Sequence, residues 1–357
     1  MDTRSEGGTA PVPPRGEEAS GGDGESRLTV IVALLANLGI AVAKAVAAVI
    51  TGSAAMAAEA AHSVADSCNE VLLLQGLRLS ARPADRRHPF GYGKERYFWS
   101  LLVAVTIFGM GALFAFLQGF EALTGGRGEQ EDPLVAYVVL LVAMALETVS
   151  WVRALRDAGR AAREHRQRLL DYVRHTDDPP SVVVLLEDSA ALVGLLLALG
   201  GIGLHQLTGS AVWDGIASLL IGVVLTLVAL ALGRINRNLL IGSQADPRLV
   251  RAIGGRLRDA PEVEALVDLV TMTTGHDKVL VCARLDFRDT LSSAELERAC
   301  VRIAEELGRE HPEVDEVFLE PVPRDDPAIR AHVLARYGWN LDDRPADRDG
   351  GGRGAAG

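Results

Sequence analysis

The chain has 357 residues, 48% of them hydrophobic, with 36 Lys and Arg against 47 Asp and Glu for a formal net charge of −11. That acidity excludes nucleic acid as an expected partner, because such proteins carry a basic patch. The three cysteines, Cys68, Cys282 and Cys300, share no CxxC spacing, which excludes a disulfide framework or a thiolate zinc site.

Residues 1–27, rich in Gly, Pro, Ser and Glu, cannot bury enough apolar surface to offset the entropy of ordering and are expected to form a disordered tail. Six segments then qualify as membrane spans of about 20 apolar residues: Leu28–Ile50, Ser53–Leu79, Tyr97–Leu123, Leu134–Val152, Ser181–Leu207 and Val212–Leu232. The second-to-third connector holds Arg78, Arg82, Arg86, Arg87, Lys94 and Arg96, and the fourth-to-fifth holds Arg153, Arg156, Arg160, Arg163, Arg166, Arg168 and Arg174. The opposite connectors are nearly free of basic residues. Since Lys and Arg near span ends stay on the cytoplasmic side, both termini are expected in the cytoplasm, in an integral protein of the cell (inner) membrane. The basic fourth-to-fifth connector has helical periodicity and is expected to continue the fourth helix beyond the bilayer as a solvated arm.

The second span carries Glu59, His62, Asp66 and Glu70 at spacings of 3, 4 and 4, so they share one helix face, flanked by Asn69. Ionisable groups at membrane depth are costly, which makes the stripe a functional-site hypothesis. His62 and Asp66, about 6 Å apart along the axis, can aim an imidazole nitrogen and a carboxylate at one point. That donor pair suits zinc, and also manganese, iron or cobalt, more than calcium or magnesium. Glu59 and Glu70 could instead be solvated near a boundary. In the fifth span Glu187 and Asp188 interrupt an apolar run and point about 100° apart, so at most one of them is expected to face a shared ion squarely, the other bonding a neighbouring helix or staying protonated. Lys44 is expected to snorkel to the outer surface, and Asp214 to cap its own helix.

Beyond Gly242 the pattern reads α-β-β-α-β, expected to form a small antiparallel sheet with helices on one face. The expected division is therefore a tail (1–27), a transmembrane transport domain (28–242), a soluble domain (243–325) and a mostly disordered C-terminal tail (326–357). Its histidines, His276 and His311, have no ligand-like spacing.

Taken together, TGSAAMAAEAAHSVAD in the second span, HPFGYGKER at 88–96 and WDGIASLLIG in the sixth resemble the cation diffusion facilitator family, over roughly residues 28–322. LLEDSAA is similar to its zinc transporter nine-like branch. The resemblance implies an all-α six-span bundle followed by a ferredoxin-like cytoplasmic domain that forms a homodimer. It implies a proton-coupled efflux antiporter and not an enzyme, with a divalent ion, protons and the lipid bilayer as partners and no cofactor. Its transport site maps onto His62 and Asp66 and onto Asp188, while Val184 stands where the family has histidine; Glu187 or a water would supply that donor. A second family site matches at Asp85 and His88 but has Tyr92 in place of its other histidine, and Phe318 stands at a histidine position of the soluble domain. The resemblance also implies a Lys94–Asp246 pair between the two domains. The rival readings are a non-transporting membrane regulator with a degenerate site and an intramembrane metalloenzyme, the latter without the HExxH helix it would use.

Overall fold

The computed structural model describes residues 23–124, 133–164, 168–169, 172–173 and 179–337. Six long helices come first: α1 (Asp23–Thr51), α2 (Ala54–Ser80), α3 (Glu95–Thr124), α4 (Pro133–Glu164), α5 (Pro179–Thr208) and α6 (Val212–Ile241). Helix α1 starts inside the segment expected to be tail; residues 1–22 lie outside the described ones. Helix α4 continues well past Val152 to Glu164, as the periodicity of the basic connector implies.

Among the described residues four helices, α3 to α6, are long and apolar enough to cross a membrane, not the six expected. The shortfall has a physical cause. Helix α2 is the inner helix, packed against α1, α3, α5 and α6, so it carries Ala and polar side chains where the outer helices carry Leu, Val and Phe. In α1 the apolar stretch within the described residues is short, Asn37–Thr51. One π-helical turn, Ile107–Ala112, lies in α3 where that helix packs on α6.

The turn between α1 and α2 is tight. Gly52 supplies a positive φ of 64°, and Ser53 caps α2 by accepting from the Met56 amide at 3.1 Å. Asp214 reaches across from α6, taking the Ser53 hydroxyl at 2.6 Å and the Ala54 amide at 2.5 Å. It therefore caps a neighbouring helix, not its own as expected, since α6 has no side-chain hydrogen bond at its N-cap.

After Gly242 come α7 (Pro247–Arg258), β1 (Val263–Gly275), β2 (Lys278–Phe287), α8 (Ser293–Glu310), β3 (Val314–Pro321) and α9 (Pro327–Tyr337). The sheet order is β1-β2-β3, with β1 and β2 antiparallel and β2 and β3 parallel. The expected antiparallel, ferredoxin-like sheet is thus replaced by a mixed one. A two-residue turn at His276–Asp277 reverses the chain between β1 and β2, whereas α8 carries it back along the sheet so that β3 runs with β2. Ile253 and Leu257 of α7 and Ile303 and Leu307 of α8 join Val281 and Leu285 in one core. Helix α9 corrects the reading of 326 onward as tail: Val333 is buried, and Arg336 meets Asp268 at 3.1 Å. Residues 338–357 lie outside the described ones.

The two parts meet closely. A Cβ on Gly93, in the connector between α2 and α3, would lie 2.6 Å from the Thr274 carbonyl oxygen, so only glycine lets the β1–β2 turn approach. The Thr273 amide donates to Ser243 at 2.9 Å. Lys94 Nζ reaches the Leu240 carbonyl at 3.4 Å, and Asp246 caps α7 through the Arg248 amide.

Candidate metal centre

The α2 stripe divides into two levels. At the upper level, toward the α1–α2 turn, Glu59 and Lys44 are both fully buried and form an ion pair at 3.1 Å, with Lys44 also donating to Ser63 at 2.8 Å. Lys44 therefore does not snorkel. The approach of α5 at Gly194 leaves no space for a Cβ against the Glu59 carboxylate, and at 0% exposure Glu59 is not solvated.

One turn along α2, His62 is 1% exposed, and its Nδ1 lies 3.3 Å from Asp66 Oδ1. Neither ring nitrogen has a hydrogen-bond partner among the described residues, and Asp66 Oδ1 lacks one too. Buried polar atoms are seldom left so. Unpaired lone pairs on an imidazole and a carboxylate in contact are what a cation would use.

Asp66 opens onto a cavity of about 280 Å³ lined also by Glu70, Glu187, Asp188, Glu147 and Arg153. Asn69 Nδ2 donates to Glu187 Oε1 at 2.6 Å, Ser150 Oγ to Asp188 Oδ2 at 2.8 Å, and Asn37 Nδ2 to Glu70 Oε1 at 2.5 Å. The structure thus brings Asp66, Glu187 and Asp188 to one cavity, with His62 behind Asp66. They line it without surrounding one point: among the described residues no three His, Cys, Asp or Glu side chains are gathered closely enough to hold an ion together. Both members of the α5 pair face the cavity, where at most one was expected to do so squarely. Val184 lines it as well, contributing only a hydrocarbon surface.

Sequence reasoning passed over Glu147, Ser150 and Asn37. Glu147 carries the same signal as Glu187, an ionisable group inside an apolar run (LLVAMALETVSW), and that signal would have found it. Asn37 and Ser150 have no such mark.

Asp85 and His88 are engaged in a turn. Asp85 Oδ1 accepts from the Arg87 and His88 amides at 2.8 and 2.7 Å, and Tyr92 donates its hydroxyl to Oδ2 at 2.8 Å. The Tyr92 hydrogen bond, first, and these amides hold the Asp85 carboxyl below the usual aspartate range. His88 stacks against Tyr92 with ring centroids 4.2 Å apart. In the soluble domain His276 is exposed on the β1–β2 turn, His311 ends α8, and Phe318 is exposed on β3.

Residues 30–241 match the model of the cation efflux transmembrane domain. The proton-coupled zinc antiporter SLC30A9, mitochondrial, of Xenopus laevis is 36% identical over 244 residues, 68% of this chain and 44% of the relative. Metal tolerance protein C4 of Arabidopsis thaliana is 31% identical over 281 residues, 79% of this chain and 59% of its own length. The manganese efflux system protein MneP of Bacillus subtilis (strain 168) is 24% identical over 304 residues, 84% of this chain and 96% of its own length. The chain spans less than half the length of the frog relative.

Proposed function

The chain belongs to the cation efflux family, and from that premise we propose that it exports a divalent transition-metal ion, zinc foremost, in exchange for protons. The observation that carries the reading is the convergence of carboxylates from α2 and α5, Asp66 with Glu187 and Asp188, on one cavity, with His62 in contact with Asp66 and no hydrogen bond to its ring nitrogens among the described residues. All six helices then cross the bilayer, with α2 packed among four neighbours and turning Val64, Val71 and other small or apolar side chains outward.

The lining residues of α4 and α5 fall in the halves nearer the basic fourth-to-fifth connector. Because Lys and Arg mark the cytoplasmic side, the cavity opens inward, with both termini in the cytoplasm, in the cell membrane. Toward the other side the Lys44–Glu59 pair and the Asp214 cap close the bundle. An ion entering from the cytoplasm meets His62, Asp66, Asp188 and Glu187, and rocking of the helices releases it outward. Metal takes neutral imidazole and ionised carboxylates, so ion and protons compete for the same lone pairs, and exchange follows from that competition. The soluble domain presents Phe318 on its edge strand β3, a surface suited to a second copy of the chain in a homodimer.

The names of the relatives point to zinc for one and manganese for another. A cavity with more carboxylates than imidazoles lets harder ions compete. In reconstituted liposomes a zinc gradient should drive proton counterflow, and Asp66→Ala or Asp188→Ala should abolish it. Counterflow at the wild-type rate in either variant would remove the site from the mechanism.

A further inference from the structure

We infer that Glu147 on α4 is a direct donor to the transported ion, which is then gripped by three helices and not two. The inference rests on the transport reading above and adds a residue to its site.

Glu147 lines the same cavity as Asp66, Glu187 and Asp188. Its helix face is fixed there: Ser150, three residues on and so on the same side of α4, donates to Asp188, and the adjacent Trp151 donates its indole N–H to Ser189 at 3.0 Å. Glu147 is therefore held about one turn of α4 from the α5 pair, on the side that faces it. Of the carboxylates near it, Glu70 is engaged by Asn37, Glu187 by Asn69, Asp188 by Ser150 and Glu59 by Lys44, whereas Asp66 accepts no hydrogen bond among the described residues. Glu147 makes no hydrogen bond or ion pair among the described residues, so both its oxygens are available. Behind Asp66, the 99%-buried His62 has ring nitrogens without a hydrogen-bond partner among the described residues, an opening for a cation held by Asp66. A structural carboxylate at such depth would be expected to have a permanent donor; a ligand is expected to keep its lone pairs open until the ion arrives. Closing the α4–α5 unit onto α2 would bring Glu147, Asp188 and Asp66 around one ion.

The test uses the full chain purified in detergent, titrated with ZnCl2 and with MnCl2 by calorimetry, with thermal unfolding as the check on folding. Glu147→Gln, nearly isosteric, should weaken zinc binding by roughly tenfold or more, the least that loss of even an outer partner of a ligand produces. It should weaken manganese binding further still, and Glu147→His should shift the preference toward zinc, which a merely structural role would not do. If Asp66→Ala loses binding while both Glu147 variants keep wild-type affinity and preference, this inference alone fails. If the wild type binds neither ion, or Asp66→Ala binds as the wild type does, the transport reading fails with it.

Discussion

Lys44 is an ammonium with 0% exposure, and its bonds go to Glu59 and Ser63, both on the next helix. A buried pair of this kind adds little net stability, but removing one partner strands the other, at about 3–5 kcal/mol. Lys44→Met should accordingly lower the unfolding temperature of the purified protein sharply, and adding Glu59→Gln should restore most of it; a single variant that melts like wild type would show that the pair carries no such burden. The stripe on α2 was readable because an ionisable group in an apolar window stands out whatever the fold. The separate duties of its members were not. Glu59 and Asp66 differ in which neighbour faces them, and Lys44, fifteen residues from Glu59, becomes a partner only once α1 and α2 lie side by side.

At the level of elements, six long helices were legible in the sequence, yet among the described residues only four are long and apolar enough to cross a membrane. Helix α1 falls short because its apolar stretch is short, and the inner helix α2 because a helix packed among others need not be greasy. The start of that helix depends on Asp214, which accepts from Ser53 and Ala54. Asp214→Ala should cost about 1–2 kcal/mol at the cap and raise amide hydrogen exchange selectively over the first turn of α2. Unchanged exchange there would mean that Ser53 suffices by itself. In the soluble domain the order of helices and strands was legible from periodicity. The direction of β3 was not, because one strand pattern pairs equally well either way and the crossover through α8 decides. Helix α9 escaped notice because its apolar content is slight, and its place is fixed largely by Val333 and the Arg336–Asp268 contact.

For the molecule as a whole, the site and the soluble domain are physically continuous: the connector that leaves α2 packs, at Gly93, directly on the β1–β2 turn. The charges that meet across α1 and α2 also govern how such a protein can be made. Scales for a helix leaving the translocon assign roughly 2.5–3.5 kcal/mol to each charged residue at its centre, and α2 carries Glu59, Asp66 and Glu70 in addition to His62. Offered alone, that segment should stay in water. Joined to α1 by the short Gly52–Ser53 turn, it can meet Lys44 before either helix faces lipid, so the two should partition together as one hairpin. Glycosylation mapping in microsomes would register this as failure of α2 alone, and success of α1–α2, to become membrane-embedded; independent insertion of α2 would mean that the chain needs no such companionship during synthesis.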